Sequence, residues 1–160
     1  MGSKKNIATW IAFGLFLYLV LYFSYKGITT SPATPGHDID SITYHIPIAE
    51  SIANGNLLPP DLPHGLGYYP SIGETILAGF VLLGIPLNLF NVLGLILLFT
   101  LCRVISRRFG LSNAYSTIFA VSVVSLNSVT RLINSQPVDI WLAIFFLLCL
   151  YLLNKPNKTG

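Results

Sequence analysis

The stretch that decides how this chain folds is residues 75–105, TILAGFVLLGIPLNLFNVLGLILLFTLCRVI. It is apolar almost throughout, too long for one ordinary membrane helix, and interrupted by Gly84, Pro86, Asn88 and Asn91. Proline has no amide hydrogen to continue a helix and suits a first turn, so one helix is expected to end near Gly84 and another to begin after Pro86. If residues 75–85 crossed a membrane, about 11 residues would reach only about 16 Å of a core roughly 30 Å thick. Arg103, Arg107 and Arg108 would then lie on the outer side, against the positive-inside rule. Residues 71–84 are accordingly read as a helix half buried at the outer interface, and residues 87–106 as a transmembrane helix running inward to the arginines.

The rest of the chain has the same character. Of its 160 residues 53% are hydrophobic and only 9% charged, whereas a soluble domain carries about 25% charged residues to wet its surface. Residues 7–25, preceded by Lys4 and Lys5, are long enough for a first crossing. The bulky run Tyr22-Phe23-Ser24-Tyr25 offers no small-residue cleavage site, so an uncleaved anchor is expected rather than a signal peptide. Residues 112–130 carry Ser116, Thr117, Ser122, Ser125, Asn127 and Ser128, a set that allows close helix approach, and are read as a third crossing packed against protein. Residues 137–153 form a strongly apolar fourth. With residues 1–6 and 154–160 cytoplasmic, Lys4, Lys5, Arg103, Arg107, Arg108, Lys155 and Lys158 lie inside and only Lys26 and Arg131 outside. The expected architecture is an all-α integral membrane protein of the plasma membrane, with about four transmembrane helices and two juxtamembrane helices in the first outer loop, residues 26–86. Basic residues so distributed serve a membrane, and no nucleic-acid partner is expected. Cys102 and Cys149 sit in apolar runs, which leaves neither a disulfide framework nor a CxxC metal motif.

The acids and histidines gather in that loop: His37, Asp38, Asp40, His45, Glu50, Asp61, His64 and Glu74, with Asp139 alone elsewhere. Ile42, Ala49, Ile52 and Ala53 recur at near-helical spacing, Asp40 or Ser41 can cap, and Asn54-Gly55-Asn56 can stop, so the first juxtamembrane helix is expected near 41–54 with Pro47 early in it. Asp38, Asp40 and His45 together offer carboxylates and an imidazole able to hold a divalent cation or act as a base. Structural roles compete with each of these. An extramembrane loop is where polar residues are allowed, Asp40 can serve as a helix cap worth about 1 kcal/mol, and Tyr44 and Tyr69 can anchor at headgroup depth. Asp139 can face the dipole of the fourth helix or pair with Arg131. An ion transporter is disfavoured because no acid or histidine falls mid-membrane.

Four strings, in chain order, carry a resemblance. Asp40-Ser41-Ile42-Thr43-Tyr44-His45-Ile46-Pro47 resembles the D-x-x-x-Y-H-x-P signature in the first outer loop of lipid-phosphosugar-dependent GT-C glycosyltransferases, the superfamily of protein O-mannosyltransferases and aminoarabinose transferases. Tyr69-Pro70-Ser71-Ile72-Gly73-Glu74 is similar to the F-P-x-x-G-E element of their second juxtamembrane helix, Arg107-Arg108-Phe109-Gly110 to the basic end of transmembrane helix 2, and Gln136-Pro137-Val138-Asp139 to the acidic start of helix 4. The resemblance implies transfer of a sugar from a polyprenyl-phosphate donor to a glycan, lipid or protein acceptor at the outer face. It makes Asp40 the candidate catalytic base, with Asp38, Tyr44, His45 and Glu74 positioning substrate or metal and Asp38 and Asp40 the candidate ligands of a divalent cation. Such enzymes carry many more helices, so the chain is expected to be the N-terminal part of a longer enzyme, inactive alone. A small non-enzymatic membrane scaffold or assembly subunit is the alternative expectation.

Overall fold

The computed structural model describes residues 2–30, 39–56 and 72–153, and among these every regular element is helical, with no strand. Helix α1 covers Gly2–Thr29. A π turn at Ser41–His45 runs into α2, Ile46–Ala53. Helix α3 is Ile72–Leu83, and a 3-10 turn at Leu87–Leu89 leads into α4, Phe90–Arg108. Then follow α5 at Asn113–Val124, the single turn α6 at Asn127–Thr130, and α7 at Asp139–Leu153. The segments Ile7–Thr29 and Leu87–Arg108 are long and apolar enough to cross a membrane, while α3, α5 and α7 are apolar but shorter.

The long apolar stretch divides where its punctuation lies. Gly84 adopts φ +64°, a left-handed conformation that costs glycine little. It lets the Ile85 amide reach back to the Phe80 carbonyl at 3.0 Å while Gly84 itself bonds to Val81 at 3.1 Å, the paired bonds of a Schellman stop. Pro86 then precedes the 3-10 turn that starts α4.

Helix α4 is the axis of the molecule, packed on α5 and on α7, with α1 lying against α5 and the start of α4. Phe16 of α1 stacks on Phe99 with ring centroids 3.8 Å apart, and Phe90 stacks on Trp141 of α7 at 5.0 Å. Gly94 permits that approach, since a Cβ there would meet the Ile140 side chain at 3.0 Å. Ser116 and Thr117 of α5 are buried, as small hydroxylated residues in a close helix contact should be.

One expectation needs correction: residues 112–130 do not form a continuous helix. Helix α5 ends at Val124, Leu126 turns to an extended ψ of 139°, and after α6 the chain runs irregularly to the start of α7. At 1.5 Å per residue α5 rises about 18 Å against about 28 Å for α4, so the irregular segment makes up the difference at the end where α1 finishes and α4 begins. Its backbone carbonyls find a better partner than helix continuation. The Asn91 amide, buried in the first turn of α4, donates to the carbonyls of Leu132, Ser135 and Pro137 at 3.0, 3.0 and 2.9 Å. Asn134 in turn donates to the Phe23 carbonyl of α1 at 3.0 Å.

Replacing Asn91 by alanine removes the side-chain donor from the Ser135 and Pro137 carbonyls, leaves Leu132 only its bonds from Ser135, and strands the Trp141 indole N–H that Asn91 Oδ1 accepts at 3.1 Å. The expected loss is about 3 kcal/mol, a fall of roughly 6–12 °C in melting temperature measured on detergent-purified protein. An unchanged melting temperature would show that residues 125–138 are held by something else.

Candidate functional site

Pro47 shapes the helix that carries most of the singled-out residues. Without an N–H it cannot complete the helical ladder, and its ring crowds the carbonyl four residues back. The chain accommodates it in a wider π turn, in which the Ile46 amide bonds to the Ser41 carbonyl. Such single π turns recur at functional sites. The consequence is a clean partition: Ser41 and His45 are buried, and Asp40 and Ile42 are exposed.

Helix α2 packs on α3, with Ile48 and Ala49 buried on one side and Leu77 and Ala78 on the other. Between them His45 Nδ1 lies 2.7 Å from Glu74 Oε1, both side chains only 5% exposed. One hydrogen is shared across this contact between the ring nitrogen and the carboxyl oxygen. The second oxygen, Glu74 Oε2, is buried with no hydrogen-bond partner, a costly state that marks a group worth explaining. Tyr44 is half-buried, its ring tilted against that of His45 with centroids 4.1 Å apart.

The start of α7 closes the cluster. Ser41 Oγ accepts from the Gln136 amide at 2.9 Å, and the Gln136 side chain donates to Asn88 Oδ1 at 2.7 Å. Asn88 donates onward to the Thr30 carbonyl at 3.0 Å, tying in the end of α1. A Cβ on Gly73 would fall on the Val138 side chain, so glycine is what lets α3 begin against the segment leading into α7.

Three of the four quoted strings therefore meet. Residues 40–47, the described part of 69–74, and 136–139 form one cluster, whereas Arg107 and Arg108 end α4 at the far side, where Arg108 stacks on Tyr151 of α7 at 3.5 Å. The expected site residues differ in placement. Asp40 is exposed at the start of the π turn and makes no capping hydrogen bond, which removes its purely structural role as a cap. His45 and Glu74 form the buried pair, Tyr44 flanks it, and Asp38 lies outside the described residues. Asp139 opens α7, where a negative charge suits the helix dipole. Its pairing with Arg131 does not form; among the described residues the ion pair is His45 with Glu74. Among the described residues no group of three or more His, Cys, Asp or Glu side chains converges, and of the two candidate cation ligands Asp40 is described and Asp38 is not.

Sequence reasoning treated Asn88 and Gln136 as a helix breaker and a motif residue and missed that they bond to one another. The available signal was an amide side chain in an otherwise apolar stretch, which must find a partner when buried. Comparison of the chain with protein-family models, with curated proteins and with solved structures finds no match.

His45→Ala is expected to cost about 3 kcal/mol, because it leaves a buried carboxylate without its donor. In a double-mutant cycle H45A/E74A should cost less than the sum of the single variants by about 1 kcal/mol or more. Additive losses would show that the two side chains do not act as a pair.

Proposed function

We propose that the chain is the membrane-embedded N-terminal portion of a GT-C-like glycosyltransferase, which moves a sugar from a polyprenyl-phosphate donor to an acceptor at the outer membrane face. The observation that carries this reading is the convergence of three separated strings on one cluster, with His45 and Glu74 in contact across 29 residues and Ser41 and Gln136 across 95.

In this reading the end of the bundle bearing the cluster faces outward, and α1, α4, the α5–α6 unit and α7 make four crossings. The apolar surface supports it. The apolar window of α1 is only 6% buried by the rest of the protein, and Trp10, Ile11, Leu142 and Phe146 are more than 60% exposed. A surface of that kind calls for lipid or for further protein. Helices α2 and α3 lie along the interface and present Asp40 to the aqueous side.

The chemistry follows from that placement. Asp40 takes the proton of the acceptor hydroxyl as its oxygen attacks the anomeric carbon; the bond from that carbon to the phosphate oxygen breaks, and polyprenyl phosphate leaves. His45 and Glu74 act as positioning residues, locking α2 to α3 so that Asp40 keeps its station. The alternative, a non-enzymatic membrane subunit, draws on the exposed polar residues Ser125, Asn127, Ser128 and Arg131 of the irregular segment, a surface that suits a protein partner better than hydrocarbon.

Two measurements test the proposal. With Cys102 and Cys149 replaced, single cysteines at positions 36, 65 and 86 should label from outside intact cells and one at position 110 should not; the reverse at 86 and 110 removes the architecture. Asp40→Asn should lower sugar transfer from a polyprenyl-phosphate donor by about 100-fold or more, in membranes whose transfer depends on the chain, without lowering the melting temperature. Transfer that survives the substitution rules out Asp40 as the base and favours the subunit reading.

A further inference from the structure

The far end of α4, away from the candidate site, concentrates positive charge without an acid to balance it. All six acidic residues of the chain lie between positions 38 and 74 or at 139, and those described stand at the opposite end of the bundle. Arg103 Nη2 and Arg107 Nη1 both donate to a single oxygen, Asn113 Oδ1, at 2.6 and 3.1 Å. Two guanidinium groups that share one acceptor lie close together, and a neutral amide oxygen carries too little charge to offset their repulsion. Arg103 Nε is buried with no hydrogen-bond partner, so it is the outer nitrogens of the guanidinium that face a ligand.

A third positive contribution comes from the backbone. Asn113 is the first residue of α5, so the amides of that helix's first turn and the positive end of its dipole adjoin the same corner. Ser112 Oγ takes up the Tyr115 amide, at 3.5 Å, and leaves the amides before it to other partners. Arg108 is engaged elsewhere, bonded to the Tyr151 carbonyl at 2.7 Å and stacked on its ring, and is no part of the corner.

We propose that the corner formed by Arg103, Arg107 and the start of α5 binds the phosphate of an anionic membrane lipid. A phosphate presents several oxygens to two guanidinium forks and to helix amides at once, which a single carboxylate does less well. The surroundings select a lipid over a free ion: Phe109, Leu111 and Tyr115 are exposed around the corner, 69%, 38% and 56%, an apolar collar suited to the upper acyl chains. The site sits where α4 would leave the hydrocarbon, so it rests on the membrane reading above but not on the transferase chemistry. Its effect is to fasten the α4–α5 turn to the leaflet opposite the candidate active site.

The test is the melting temperature of the full chain in phosphatidylcholine nanodiscs with and without phosphatidylglycerol. Phosphatidylglycerol should raise it in the unmodified protein. Arg107→Gln, at an exposed position that leaves the core intact, should abolish most of the rise. Lys5→Gln, which removes one basic charge elsewhere in the chain, should retain it. No rise in the unmodified protein overturns the proposal, as does equal loss in the two variants, which would mean diffuse electrostatic attraction. Inorganic phosphate reproducing the full rise in pure phosphatidylcholine would assign the corner to a free ion and overturn the lipid. Failure of the chain to enter nanodiscs at all overturns the membrane reading and this proposal with it.

Discussion

Asn91 ties together three parts of this molecule. From the first turn of α4 its amide holds three carbonyls of the irregular segment, and its oxygen holds the indole of Trp141 in α7. Its two amide hydrogens are shared among three acceptors, and its oxygen takes one donor. Buried peptide groups must be paired, and the turns of residues 126–135 pair only part of theirs among themselves. Asn91 of α4 supplies donors to the segment between α5 and α7, alongside its own turns and the bonds of Asn134 to Phe23 and of Gln136 to Ser41, and so helps to set where α7 begins. Every contact that closes the candidate site on the α7 side depends on that arrangement.

The His45 and Glu74 pair has a different character. Burying an ion pair seldom adds much stability, because each group surrenders its hydration. What the pair does supply is register. It forms only when the π turn and the start of α3 are correctly opposed, so a slipped packing of α2 on α3 would leave both groups unpaired. The orphaned Glu74 Oε2 shows that the protein accepts a local cost here, and in the proposed transferase that cost maintains the site beside which Asp40 stands exposed.

Charge divides the bundle lengthwise. The described acids occupy the end where α1 finishes, and three arginines close α4 at the other. In a low-dielectric slab this asymmetry is a means of orientation, since moving either set through hydrocarbon would be costly. The two proposals attach to the two ends: sugar chemistry beside the acids, and a lipid phosphate held by Arg103 and Arg107.

Much of the fold could be read from residue order alone. The helical class, the break at Gly84 and Pro86, and a helix-forming run around residues 41–53 followed from hydrophobic run length and from the backbone limits of glycine and proline, which are local properties and need no tertiary context. The hydroxyl content of residues 112–130 marked burial against protein for Ser116 and Thr117 but not for Ser122, Ser125, Asn127 and Ser128, which are exposed, and gave no warning that the helix stops at Val124. The path of the chain after that stop involves donors far along the sequence, Asn91 among them. The same reason hid the cluster. Asp40, Tyr44, His45 and Glu74 were recognisable as candidates from their strings, but the 2.7 Å contact between His45 and Glu74 and the chain of bonds from Ser41 through Gln136 and Asn88 to Thr30 join residues with no periodic relation to one another. Local propensity encodes where the chain turns; which polar groups then share a buried space is decided only when the helices pack, because each must find its partner among groups that folding, and not sequence distance, brings near.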